Sequence, residues 1–122
     1  MQYTAHKPLE VISWNASSEA FASQKVQIQE LAQNAASKEI QIIMPKDALM
    51  KEHKAPFAIS VQVLSGRIWF EVGGERVEMG ALDMVCLDAN VAHSLGGLAD
   101  SILRLSLAKA DDTKRINAVL GK

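Results

Sequence analysis

His53 and His93 are the two residues of this sequence best placed to do chemistry, because an imidazole can ligate a metal, shuttle a proton or anchor a ligand near neutral pH. His53 opens the stretch KEHKAPFAISVQVLSG, residues 51–66. A metal centre on such a strand needs a second imidazole and a carboxylate within the next few positions, since a catalytic metal takes three protein donors and keeps one position open. Ala55 and Ile59 stand there instead. Glu52 and Lys54 flank His53 and in an extended chain point to the opposite face, as Gln62 does relative to Ile59, Val61 and Val63. Met84 and Cys86 share a face and could offer sulfur, but at such positions both read as core residues. The single cysteine cannot close an internal disulfide and reads as a small buried apolar side chain. For acid–base work, His93 with Asp88 is the available pairing, with no tyrosine to complete it, because the sole tyrosine is Tyr3 at the N-terminus; His6 lies outside both stretches.

The elements that must position these residues are strands. KVQIQEL sets Val26 and Ile28 against Gln27 and Gln29, and EIQIIM sets Ile40, Ile42 and Met44 against Glu39 and Gln41. AQNAASK between them reads as a loop. ISVQVL places Ile59, Val61 and Val63 on one face; RIWFEV does the same with Ile68, Phe70 and Val72. Ser65-Gly66 turns between these two, and Gly73-Gly74 predicts a tight hairpin, because a two-residue primed turn needs positive φ at both central positions. ERVEM, DMVCLD and SILRLSL complete the set, the last with Leu103, Leu105 and Leu107 aligned. The spacing predicts a sandwich or barrel, in which closure removes bare edges. WNASSEAFASQ fits either a loop or a short helical turn. At the C-terminus, residues 111–120 form an amphipathic helix with Asp111 or Asp112 as N-cap, Ile116, Val119 and Leu120 on one face and Gly121 as the stop. That face docks on the chain's own barrel or on a second copy.

Composition bounds the function. The 122 residues are one domain's worth, with 48% hydrophobic and 22% charged residues and a net charge of −1. Basic residues are scattered, so no stripe for a phosphate backbone exists and nucleic acid is not an expected partner. No segment has the apolar length of a membrane span and the N-terminus lacks a signal-peptide layout, so a cytoplasmic protein without a membrane partner is expected. Asn15-Ala16-Ser17 fits the glycosylation pattern but needs a secretory route.

From about residue 44 to residue 107 the sequence resembles the small single-domain, RmlC-like cupins. Their first motif runs glycine, five residues, histidine, any residue, histidine, three or four residues, glutamate, six residues, glycine. His53 matches the first histidine and Gly66 the closing glycine, while Asp47, Ala55 and Ile59 replace the leading glycine, the second histidine and the glutamate. In the second motif His93 of DANVAHSL matches the ligand histidine, Asp83 sits where the family often has aspartate, and Asp88 and Asn90 replace proline and glycine. The resemblance implies an all-β fold, the cupin double-stranded β-helix or jelly-roll barrel, with the C-terminal helix appended. The resemblance covers roughly half of the chain, and the whole of 1–122 is expected to be one domain, with an N-terminal arm over 1–24.

Family cupins hold iron, manganese, nickel or zinc with three histidines and a glutamate; His53 and His93 are what this sequence keeps of that set. The expectation is therefore a small-molecule binding or sensing module, its cavity lined by His53, Ala55, Ile59, Val61, Val63 and His93, with no cofactor. The alternative is a metal-dependent isomerase or dioxygenase using His53 and His93 on a divalent transition metal. A homodimer is expected as well, because Ile43, Leu64, Trp69 and Ile102 lie on strand faces that would otherwise meet water, and small cupins commonly pair back to back.

Overall fold

The computed structural model describes residues 9–121, so Tyr3 and His6 lie outside the described residues. A 3-10 turn, Ser18–Phe21, precedes nine strands: β1 Gln27–Gln33, β2 Ser37–Met44, β3 Leu49–His53, β4 Ile59–Ser65, β5 Arg67–Val72, β6 Glu75–Gly80, β7 Met84–Leu87, β8 His93–Gly97 and β9 Ser101–Ala108. One helix, α1 Thr113–Val119, follows. The strands pair antiparallel in two sheets, ordered β1-β2-β9-β4-β7 and β3-β8-β5-β6. The first sheet turns Ile40, Ile42, Val61, Val63, Leu103 and Leu107 inward, the second Met50, Ile68, Phe70, Met79 and Leu95, and the two faces make one core.

Alternation is clearest in β4, β5 and β7. The Gly73-Gly74 turn joins β5 to β6 with φ of 58° and 82°, as a primed turn requires. At Gly66 the chain leaves one sheet for the other. Its φ is +93°, and a Cβ there would collide with Ser101 and the Asp100 carbonyl. Asp47 and Asn90 adopt φ of 69° and 65°, a region these two residue types tolerate. The expected loop 32–38 is shorter than its polarity suggests: Asn34 Oδ1 accepts the Ala36 and Ser37 N–H groups at 2.8 and 2.9 Å and closes a tight turn between β1 and β2.

β3 and β8 carry no alternation, and each has a physical reason. Between the pairs Met50–Leu95 and His53–His93 the β3 side has one residue more than the β8 side. This bulge exposes both Lys51 and Glu52 and turns Met50 and His53, three residues apart, to the same interior side. β8, HSLGG, stands outside the seven strand stretches that the sequence predicts, and its two glycines serve close packing. A Cβ on Gly96 would sit 2.6 Å from the Trp69 indole, and one on Gly97 would strike the Pro45 carbonyl.

Cys86 is exposed, not buried, and Met84 is exposed with it. The register decides this: Val85 and Leu87 lie opposite the inward Val61 and Ile59, so the alternate residues of β7 must face out. Ile43 and Ile102, expected to need a partner, are 6% and 8% exposed within the described chain itself. The N-terminal segment lies over this sheet, where Trp14 meets the Arg104 guanidinium and the 3-10 turn packs on β2. Trp69 is half-buried under the Arg76 guanidinium, 3.7 Å from its ring centroid.

α1 docks on its own barrel. Asp112 is the N-cap, accepting the Lys114 N–H at 2.9 Å, and Gly121 at φ 77° ends the helix. Ile116 is 1% exposed and belongs to the core. Asp111 is buried and forms an ion pair with Arg115 one turn on, while Lys38 Nζ donates to the Asp111 carbonyl at 2.6 Å.

Candidate functional site: a paired-histidine cavity under the C-terminal helix

The β3 bulge and the β3–β8 register put His53 opposite His93, with ring centroids 4.3 Å apart and planes tilted by 59°. Phe70 of β5 lies parallel to the His93 ring at 5.5 Å. Each imidazole is tied by the same local bond: Nδ1 of His53 donates to the Lys51 carbonyl at 2.7 Å and Nδ1 of His93 to the Val91 carbonyl at 2.9 Å. A carbonyl only accepts, so the proton sits on Nδ1 and Nε2 is the acceptor nitrogen of each neutral ring.

Burial holds the His53 pKa below the usual imidazole value of 6.5; the carbonyl bond opposes this and the Arg115 charge reinforces it. His93 is lowered for the same first reason, against its bond to Val91, with His53 and Arg115 adding to the effect. Both rings are therefore neutral at pH 7.

The histidines share a cavity of about 20 Å³ with Ile42, Met50, Ile59, Val61, Leu95 and Leu105, and α1 closes it with Arg115 and Ile116. That volume accommodates about one water molecule. The structure thus brings together His53, His93, Ile59 and Val61 of the expected site. Ala55 and Val63 are not in the lining: both are core residues, 3% and 0% exposed. The Ala55 carbonyl accepts the Asn90 N–H at 2.7 Å, fixing the loop past β3, and Val63 lies farther along β4 toward Gly66. His93 bonds Val91 and not Asp88, which lies in a different surface groove with Ser60 and Cys86. Ile42, Met50, Leu95, Leu105, Arg115 and Ile116 are lining residues that sequence reasoning missed; Ile116 announces itself as an apolar helix residue, but nothing local says where the helix lands.

No protein-family model matches the chain, and no curated protein matches it in sequence. Solved structures do. An RmlC-like cupin from Shewanella frigidimarina superposes with a TM-score of 0.64 at 21% identity, over 70% of this chain and 77% of that one. KdgF from a Halomonas species gives 0.64 at 17% identity, over 73% and 83%. An RmlC-like cupin from Desulfovibrio desulfuricans gives 0.62 at 12% identity, over 88% and 97%. The chain is a small domain of the RmlC-like cupin fold, a jelly roll of two antiparallel sheets with one short C-terminal helix.

The donor set does not fit the metal that this fold often carries. Among the described residues no three or more His, Cys, Asp or Glu side chains converge. Ile59 is one of the aliphatic lining residues, and the charged side chain in the lining is the Arg115 guanidinium, which repels a cation. The sulfur candidates Met84 and Cys86 face outward from β7, away from the cavity. Among the described residues, no helix is long and apolar enough to cross a membrane.

Proposed function

We propose that this cupin domain is a non-enzymatic binding or sensing module that takes a small molecule at the His53–His93 cavity, without a tightly held metal. The observation that carries the reading is the pair of neutral imidazoles, each with its Nδ1 proton committed to the backbone, set in a wall of aliphatic side chains with no carboxylate beside them. Such a site offers two acceptor nitrogens for recognition, with no lining carboxylate to pair with them as a proton relay or as a further metal ligand. Elemental analysis of protein purified without an affinity tag tests it. The expected result is transition metal far below one equivalent; a near-stoichiometric metal that leaves when His93 is replaced overturns it.

A homodimer remains part of this proposal on narrower grounds than the sequence suggested. Leu82 and Met84, 71% and 57% exposed, and Val77 at 43% lie around the β6–β7 edge, and pairing of two copies there would cover them. Sedimentation equilibrium checks it, with the mass of a single 13.3 kDa chain as the contrary result.

A further inference from the structure

We propose that α1 is a displaceable plug of the histidine cavity, and that the molecule which replaces it is compact, uncharged and apolar, and donates a hydrogen bond. The inference rests on the binding reading above and adds to it what is bound and what binding must overcome.

The plug follows from the packing. The cavity floor comes from both sheets, with Ile42, Ile59, Val61 and Leu105 from one and Met50, Leu95 and the two histidines from the other. The roof is Arg115 and Ile116 of a seven-residue helix near the end of the described chain. Ile116 is 1% exposed and enters the core, although α1 belongs to neither sheet. A helix this short is not stable alone and holds its shape through its docked face. It is held to the barrel by Ile116 and Leu120, which pack on the core, and by the Lys38 bond to the Asp111 carbonyl, while the Asp111–Arg115 pair lies within its own segment. The barrel strands are held by continuous ladders, so α1 is the part of the cavity wall that can leave at least cost.

The ligand class follows from the lining. The walls are aliphatic, which disfavours a charged occupant. The two Nε2 atoms accept and do not donate while the rings are neutral, so the polar atom that satisfies them must carry a proton. An anion would find one donor, Arg115, which moves away with the helix and is already paired with Asp111. Phenol represents the inferred chemistry, benzene has the same shape without the donor, and benzoate is the anionic counterpart.

The test titrates these three probes into the full-length wild type and Ile116→Ala, followed by amide and imidazole ¹⁵N shifts at pH 7.5. Ile116→Ala removes three carbons from the roof beside the existing space, so phenol is expected to bind it at least tenfold more tightly than wild type. It should also prefer phenol to benzene by at least tenfold, with benzoate weakest and the largest shifts at His53 and His93. Ile116→Val, which removes one methylene, should rank between the two and serves if Ile116→Ala folds poorly. Equal binding of benzene and phenol, or tighter binding of benzoate, overturns the ligand class while leaving a binding cavity. Equal phenol affinity for all three proteins overturns the plug. No shift at either histidine with any probe in the folded variants overturns the binding reading itself.

Discussion

Asp111 and Arg115 determine how firmly α1 stays over the histidines, and the two ends of the pair should respond unequally. The Asp111 side chain is 1% exposed and accepts Arg115 Nε at 3.1 Å, Arg115 Nη2 at 2.9 Å and the Asp112 N–H at 2.8 Å. Arg115 is 22% exposed, so its head can turn to water whereas the carboxylate cannot. Breaking a buried pair from one side costs about 3–5 kcal/mol when the surviving charge is trapped. Arg115→Leu traps the Asp111 carboxylate and should cost about 3 kcal/mol, the lower end because one N–H still reaches it. Asp111→Asn keeps an oxygen for Asp112 and releases a guanidinium that can hydrate, for a loss of about 1–2 kcal/mol. The double variant should be less destabilised than Arg115→Leu alone. Urea unfolding followed by tryptophan fluorescence and far-ultraviolet circular dichroism reads all three. With a slope of about 1–3 kcal/mol per molar, Arg115→Leu moves the midpoint by roughly 1–3 M. A loss for Asp111→Asn as large as that for Arg115→Leu, or a double variant equal to the sum of the singles, would refute the reasoning.

Other substitutions probe the remaining claims. Gly96→Ala drives a methyl into the Trp69 ring and should destabilise by about 1–3 kcal/mol, with a tryptophan emission shift; an unchanged midpoint would mean that β5 and β8 are not so close. Ala55→Trp should unfold or strongly destabilise the domain, because Ala55 is core and not cavity lining; retention of the native urea midpoint would contradict that placement. Both histidines bind protons more weakly folded than unfolded, so their contribution to stability is complete above about pH 6.5 and is lost as pH falls through the folded values. The wild-type urea midpoint should therefore drop between pH 7.5 and 5.5, and a His53→Gln, His93→Gln variant should show a smaller drop; an equal drop would locate the dependence elsewhere. Burial alone would raise the Glu39 pKa, but bonds from Ser106, Arg104 and Ser37 bring it below 4.5, so its contribution is present above that pH and lost below it. Glu39→Gln should flatten the acid limb of the stability profile below pH 4.5, and an unaltered limb would count against the network.

Much of this fold is legible in the sequence because period-two alternation and glycine placement report directly on strands and turns. ISVQVL, RIWFEV and SILRLSL each declare their buried face, and the structure buries those faces. What escapes is what depends on two strands at once. The β3 bulge cancels the alternation of LMKEH, and it takes the β8 register to show that Met50 and His53 face the same side. The phase of β7 is likewise ambiguous in MVCL until Val61 and Ile59 are set opposite Val85 and Leu87. At the site, the motif spacing brings out His53 and His93, which the structure places opposite each other. The roof was hidden, because the apolar stripe of α1 shows that Ile116 is buried without saying against what.

The central claim is that two neutral, metal-free imidazoles with their protons on Nδ1 face one small closed cavity, and imidazole ¹⁵N–¹H long-range correlation spectra test it most directly. Recorded at pH 7.5 on protein purified without a tag, they should show both His53 and His93 as the Nδ1–H tautomer, with shifts unchanged by a chelator. An Nε2–H tautomer, a charged ring, or a shift that the chelator abolishes at either residue would contradict the account.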